Sequence, residues 1–169
     1  TAGASPFTTQ AETAHRLLSW TNQIQLTNTV LSAGVDHQTQ VIDMATDGVS
    51  GLSRQRTADA LYAGAVYNRQ AHSAQFNLRR DDVQGLAAKD SVYLAYGYAL
   101  NRQWKLIASH ASAFNVPPLG YLFDPYSGNP DLRPETAKTL EVGLQWASGP
   151  HRLRSTWFDT QTRDLLLYD

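Results

Sequence analysis

Apolar and polar residues alternate with a period of two along most of this chain, and that pattern confines it to sheet, because only in a strand do successive side chains point to opposite faces. Over 14–26, Leu18, Trp20, Ile24 and Leu26 share one face, with Ser19, Thr21, Gln23 and Gln25 on the other; Asn22 interrupts the apolar side once. After the turn at 69–71, Ala74, Phe76 and Leu78 lie opposite Ser73, Gln75, Asn77 and Arg79. Val92, Leu94, Tyr96, Tyr98 and Leu100 form one side of the next run, against Ala95, Gly97 and Ala99. Trp104, Leu106 and Ala108 share a face with His110, and Leu140, Val142, Leu144 and Trp146 oppose Glu141, Gly143 and Gln145. With further runs at 30–42, 58–68 and 151–160, the expected fold is all-β: an antiparallel up-and-down meander of about eight strands with no helix.

The connections carry the next step. Short turns at 27–29, 69–71, 101–102 and 148–150 alternate with longer polar or Pro/Gly-containing stretches, MATDGVSGLSRQR, RRDDVQGLAAKD and the segment after Phe114. In a meander every second connection lies at the same end, so tight turns are expected on one side and long loops on the other. That asymmetry characterises outer-membrane barrels, whose spanning strands need about 9 to 11 residues. Trp20, Trp104 and Trp146 lie on apolar faces, and the latter two sit beside tight turns, at the depth of an interfacial aromatic girdle.

Composition is compatible with such a wall. Charged residues make up 17% and apolar residues 42%, with mean hydropathy −0.38, and no run approaches the roughly 18 apolar residues of a spanning helix. A barrel strand hides its apolar residues at alternate positions, so its average reads as soluble. A net charge of −1 leaves no basic footprint for nucleic acid, and the absence of cysteine excludes disulfides and thiolate metal sites. The opening run TAGASPFTTQAET has no charged start followed by an apolar core, so an export signal is expected upstream of this segment.

Pro117, Pro118, Pro125, Pro130 and Pro134 crowd into the stretch between two alternating runs, WKLIASHASAF and TAKTLEVGLQWAS. So many missing N–H donors exclude a strand or helix interior, and the stretch reads as a long, stiff, ordered loop, a kind of element that is mostly functional. AFNVPPLGYLF, then GNPDLRPE, then the strand with Glu141 and Gly143, then RDLLLY occur in an order that resembles the carboxy-terminal half of TonB-dependent outer-membrane receptors. Phe114, Pro117, Asn129, Pro130, Leu132, Pro134 and Glu135 fall on that family's motifs, and their role is read as structural. The likeness is greatest to the cobalamin (vitamin B12) transporter branch and extends through AGVDHQTQ and RRDD.

The resemblance implies a Gram-negative outer-membrane location and energy-dependent uptake of a bulky, scarce nutrient, a corrinoid first and a ferric siderophore second. It implies as partners outer-membrane lipid, an amino-terminal plug and TonB. On that reading, residues 1–169 are a single segment of a larger transmembrane barrel, without the plug and the terminal strands.

Catalytic and metal chemistry find no support. His15, His37, His72, His110 and His151 are scattered without ligand spacing, and no nucleophile elbow, P-loop or dinucleotide fingerprint is present. No enzyme activity, cofactor or nucleic-acid partner is expected. Candidate ligand contacts are Tyr121, Phe123 and Tyr126 in the proline loop, rigid aromatics that bring contact area at small entropic cost. The adjacent carboxylates Asp81 and Asp82, placed at a strand end, are a second candidate for ligand or ion contact. Packing of the aromatics against neighbouring loops is the alternative. For the chain as a whole, a self-contained eight-stranded structural barrel and a soluble β-sandwich stay open; pairing of the first and last strands, or a second layer over the apolar faces, marks them respectively.

Overall fold

The computed structural model describes residues 8–47 and 49–166. Eight strands form one sheet: β1 (Thr9–Gln25), β2 (Thr29–Thr46), β3 (Val49–Arg69), β4 (His72–Val83), β5 (Lys89–Ala99), β6 (Trp104–Asn115), β7 (Glu135–Ser148) and β8 (His151–Arg163). Their spatial order is their chain order, and every neighbouring pair is antiparallel. Among the described residues β1 and β8 pair with nothing on their outer sides. The sheet is therefore open, and a self-contained eight-stranded barrel is excluded for these residues.

Directly opposed residues in an antiparallel ladder lie on the same face, so the register sorts the side chains. Ile24, Leu31 and Ala65 are opposed in sequence, continuing through Phe76, Leu94, His110 and Leu140. A row three residues along β1 runs Thr21, Gly34, Tyr62, Arg79 and Ser91 on the polar side. The apolar face lies uncovered: Leu94 is 52% exposed and Leu144 37%. Buried apolar side chains among the described residues are few: Leu52, Ala60, Val83, Pro117 and Leu119. A soluble sandwich would seal its apolar face beneath a second sheet, and no second layer is present among the described residues.

The apolar face is bounded at both ends. Beside the tight turns, the rings of Trp104 and Trp146 approach to 6.3 Å, and His72 lies 5.1 Å from the Tyr98 ring while its Nδ1 meets the Tyr96 hydroxyl at 2.6 Å. Toward the other end the same face carries the His37–Asp59 contact at 2.7 Å and the Arg80–Asp90 pair at 3.0 Å. An apolar belt with aromatic–polar edges is what a strand meets when it crosses lipid.

Three expectations need correction. MATDGVSGLSRQR is not a loop: β2 and β3 continue as a ribbon to a turn containing Asp47, whose φ is 52°. RRDDVQGLAAKD likewise gives β4 through Val83 and a connection of only 84–88. Polar composition suggested loops, but cross-strand partners were available and the backbone ladder ran on, helped by Ser53 donating to Asp43 at 2.5 Å. The asymmetry between the two ends is thus carried by extended strands at β2–β3 and by one long connection at 116–134. That connection also contains a single helical turn, α1 (Leu119–Phe123), where no helix was expected. Of the closing RDLLLY motif, Leu167 and Tyr168 lie outside the described residues.

Candidate functional site

The site is built by the 116–134 connection, which folds back over the polar face of the β1–β3 end of the sheet. Pro117 is fully buried and Leu119 is 3% exposed. Proline fixes φ and cannot donate, so the chain enters α1 pre-set, with Pro118 at φ −55° and ψ 144°. Asp124 then closes the turn: its Oδ1 accepts the Tyr126 and Ser127 amides at 2.9 and 2.8 Å and the Ser127 hydroxyl at 3.0 Å. Those donors, the Tyr126 amide first, hold the Asp124 carboxyl below the usual aspartate range. Asn129 repeats the device, its amide donating to the Tyr121 carbonyl at 2.8 Å and its side chain accepting the Asp131 amide at 3.0 Å.

Two arginines of β3 hold this loop to the wall. Arg56 Nη1 donates to the Pro117 carbonyl at 2.9 Å and its Nη2 to Gln40 Oε1 at 2.7 Å. The Arg54 guanidinium lies 5.5 Å over the Phe123 ring. Between loop and wall runs a groove of about 520 Å³ whose apolar lining includes Ile42, Met44, Leu119 and Leu132, with Gln40, Tyr121 and Asn129 adding polar atoms. The charged side chain in its lining is Asp124. Behind Arg56 a second cavity of about 370 Å³ reaches Asp81.

Farther along the polar face stands a charged network. Arg79 Nη1 meets Asp36 Oδ2 at 2.5 Å and its Nε bridges both Asp81 oxygens at 2.9 and 3.1 Å. Ser19 donates to Asp36 at 2.5 Å, and Arg79 also lies 5.5 Å over the ring of Tyr62, whose hydroxyl pairs with Thr21 at 2.5 Å. The hydroxyl end of the Tyr62 ring lies over Gly34: a Cβ there would stand 2.4 Å from Tyr62 Cζ and 2.5 Å from the Trp20 carbonyl oxygen.

The sequence-derived residues are distributed as follows. Tyr121 lines the groove, Phe123 sits under Arg54, and Tyr126 is 89% exposed. Asp81 and Asp82 do not form a pair: both lie inside β4, where neighbours alternate, so Asp81 joins Arg79 while Asp82 stands on the other face opposite Asp59. Phe114 lines the inner cavity, Leu132 the groove, Asn129 makes its turn before Pro130, and Pro134 precedes Glu135, the first residue of β7. Arg56, Arg54, Arg79, Asp36 and Tyr62 were not anticipated as site residues. Alternation puts Arg79 on the polar face, which many residues share; Arg54 and Arg56 fall in the stretch expected to be a loop, and no face is assigned to Asp36 or Tyr62 from the sequence. Among the described residues no three His, Asp or Glu side chains gather as a metal set.

A family profile described as TonB dependent receptor-like, beta-barrel, matches residues 1–169. The chain belongs to that family. Its members are outer-membrane proteins of Gram-negative bacteria, and that is where this barrel segment resides. The chain is similar to the vitamin B12 transporter BtuB of Vibrio vulnificus, 29% identical over 76% of this chain and 21% of that protein. It is also similar to BtuB of Photobacterium profundum, 27% identical over 84% of this chain and 23% of that protein. Among solved structures, the siderophore receptor PirA from Pseudomonas aeruginosa superposes with TM-score 0.81 at 22% identity, over 89% of this chain and 31% of that one. The copper transporter OprC does so with TM-score 0.76 at 13% identity, over 95% and 32%. These structures share the fold; this chain spans between a fifth and a third of each relative.

In the TonB-dependent receptor barrel the apolar face meets lipid and the polar face the lumen. Val142 lies on the lipid face, opposite Ala108 and Trp157. Val142→Arg is expected to destabilise the folded barrel by about 2–4 kcal/mol, since a cation there loses its water near mid-depth. Lumen-facing Gln145→Arg, beside Lys105 and Arg154, should cost much less. Unfolding of both variants in detergent–lipid mixtures compares them; equal costs would mean the faces are misassigned.

Proposed function

We propose that this segment forms part of the wall and outer mouth of a transporter that takes up a corrinoid, powered through TonB and gated by a plug in the lumen. The observation that carries the substrate is the match to two vitamin B12 transporters over 76% and 84% of the chain. The siderophore and copper structures, at 22% and 13% identity, support the architecture and say nothing about the ligand. The groove's chemistry supports the same choice. Gln40 and Asn129 suit the amide side chains of a corrinoid, and Ile42, Met44, Leu119 and Leu132 suit its apolar faces. An anionic ferric siderophore would find no cation in the lining and one carboxylate, Asp124.

Binding of cyanocobalamin and of a ferric catecholate to the purified full-length receptor tests this. Cyanocobalamin is expected to bind and the catecholate not, and Tyr121→Ala is expected to weaken cyanocobalamin binding about tenfold, as loss of an aromatic anchor does. Binding of the ferric catecholate alone would replace the corrinoid reading with the siderophore one.

A further inference from the structure

We infer that Arg56 is the positioning residue of the nutrient groove: it ties the 116–134 loop to the lumen wall, making that loop a fixed roof and not a lid that closes on the ligand. The inference rests on the corrinoid reading only for the choice of probe. Three observations carry it.

Arg56 is the hydrogen-bonded link between wall and loop entry, because its planar fork holds a loop atom and a wall atom together, the Pro117 carbonyl at 2.9 Å and Gln40 Oε1 at 2.7 Å. Its carbonyl partner belongs to a fully buried proline whose φ is restricted, so fixing that one oxygen fixes the entry to α1. Gln40 and Pro118 line both the groove and the cavity behind it, so the Arg56 bridge stands at the partition between the two spaces and sets where one ends.

The roof has its own rigidity. Asp124 and Asn129 each satisfy two or more backbone or hydroxyl donors within the loop, and Arg54 presses on Phe123 from the same strand. A segment that is internally closed and pinned at its entry moves as one piece or not at all. Releasing Arg56 therefore displaces the whole roof and with it Tyr121 and Leu132, which line the groove.

The test uses the full-length receptor in lipid with spin labels at Glu12→Cys on β1 and Tyr126→Cys in the loop, both solvent-exposed positions. Without ligand, the parent is expected to give a narrow distance distribution that cyanocobalamin leaves unchanged. Arg56→Ala is expected to broaden the distribution and to weaken cyanocobalamin binding about tenfold, the loss of charge-assisted hydrogen bonds. Arg56→Lys, a point charge without the fork, should fall between them and guards against a variant that does not fold. A distribution unchanged by Arg56→Ala, or one that narrows only when cyanocobalamin binds to the parent, overturns the inference. If the parent binds no cyanocobalamin yet Arg56→Ala still broadens the distances, the positioning role stands and the corrinoid reading falls.

Discussion

Gly34→Val is expected to remove most of the folded receptor from the outer membrane. Gly34 faces Thr21 on one neighbour and Tyr62 on the other, on the lumen side of β2. A Cβ there would lie 2.4 Å from Tyr62 Cζ and from its hydroxyl oxygen, and 2.5 Å from the Trp20 carbonyl oxygen. The ring can move aside only by giving up its 2.5 Å hydrogen bond to Thr21 and its place under Arg79. The carbonyl cannot move without disturbing the β1–β2 ladder, in which Trp20 is paired with Val35. Overpacking of this kind costs about 1–3 kcal/mol where neighbours yield, and more where one of them is backbone. The gain in strand propensity from glycine to valine, at most about 1 kcal/mol, does not offset it. Adding Tyr62→Ala should recover only part of the loss, since the backbone contact persists. The amount of folded receptor, read from the gel mobility of unheated and heated samples, decides; parent-like folding of Gly34→Val would show that the Tyr62 ring does not lie on Gly34.

The second large effect is expected at Arg79. Its guanidinium serves two carboxylates, Asp36 and Asp81, whose side chains are 14% and 13% exposed, while its own is 38% exposed. Removing it leaves two poorly solvated anions on one patch of the lumen wall. Breaking a fully buried pair costs about 3–5 kcal/mol and a surface pair about 0–1, so this half-exposed network should lose about 2 kcal/mol in Arg79→Ala. The Arg79→Ala, Asp36→Asn, Asp81→Asn triple variant should be more stable than Arg79→Ala alone, because the unpaired charges are gone. Denaturant unfolding of the three proteins measures both differences. If the triple variant is no more stable than the single one, the loss comes from packing on Tyr62 and not from charge.

Both predictions rest on neighbours that alternation does not pick out: it puts Arg79 on the polar face but assigns no side to Gly34, Asp36 or Tyr62. Period two separates inside from outside for Ser73, Gln75, Asn77 and Arg79 equally. Which of these meets a carboxylate depends on register: Asp36 lies on β2, two strands away from Arg79 on β4, with Tyr62 between them. The Asp81–Asp82 doublet shows the converse. As text it looked like a pair, and a strand necessarily turns its members apart.

From its amino acids alone this chain was bound to be a meander of strands with one oily and one polar side and a rigid proline segment near its end, because side-chain alternation and proline's missing donor are local properties of the backbone. Their placement was not local. That the proline segment folds inward onto Arg56 and Arg54, that β2 and β3 run on as a ribbon where composition suggested loops, and that Tyr62 rests on Gly34 all depend on contacts between residues far apart in the chain, which arise only when the ladders set their register.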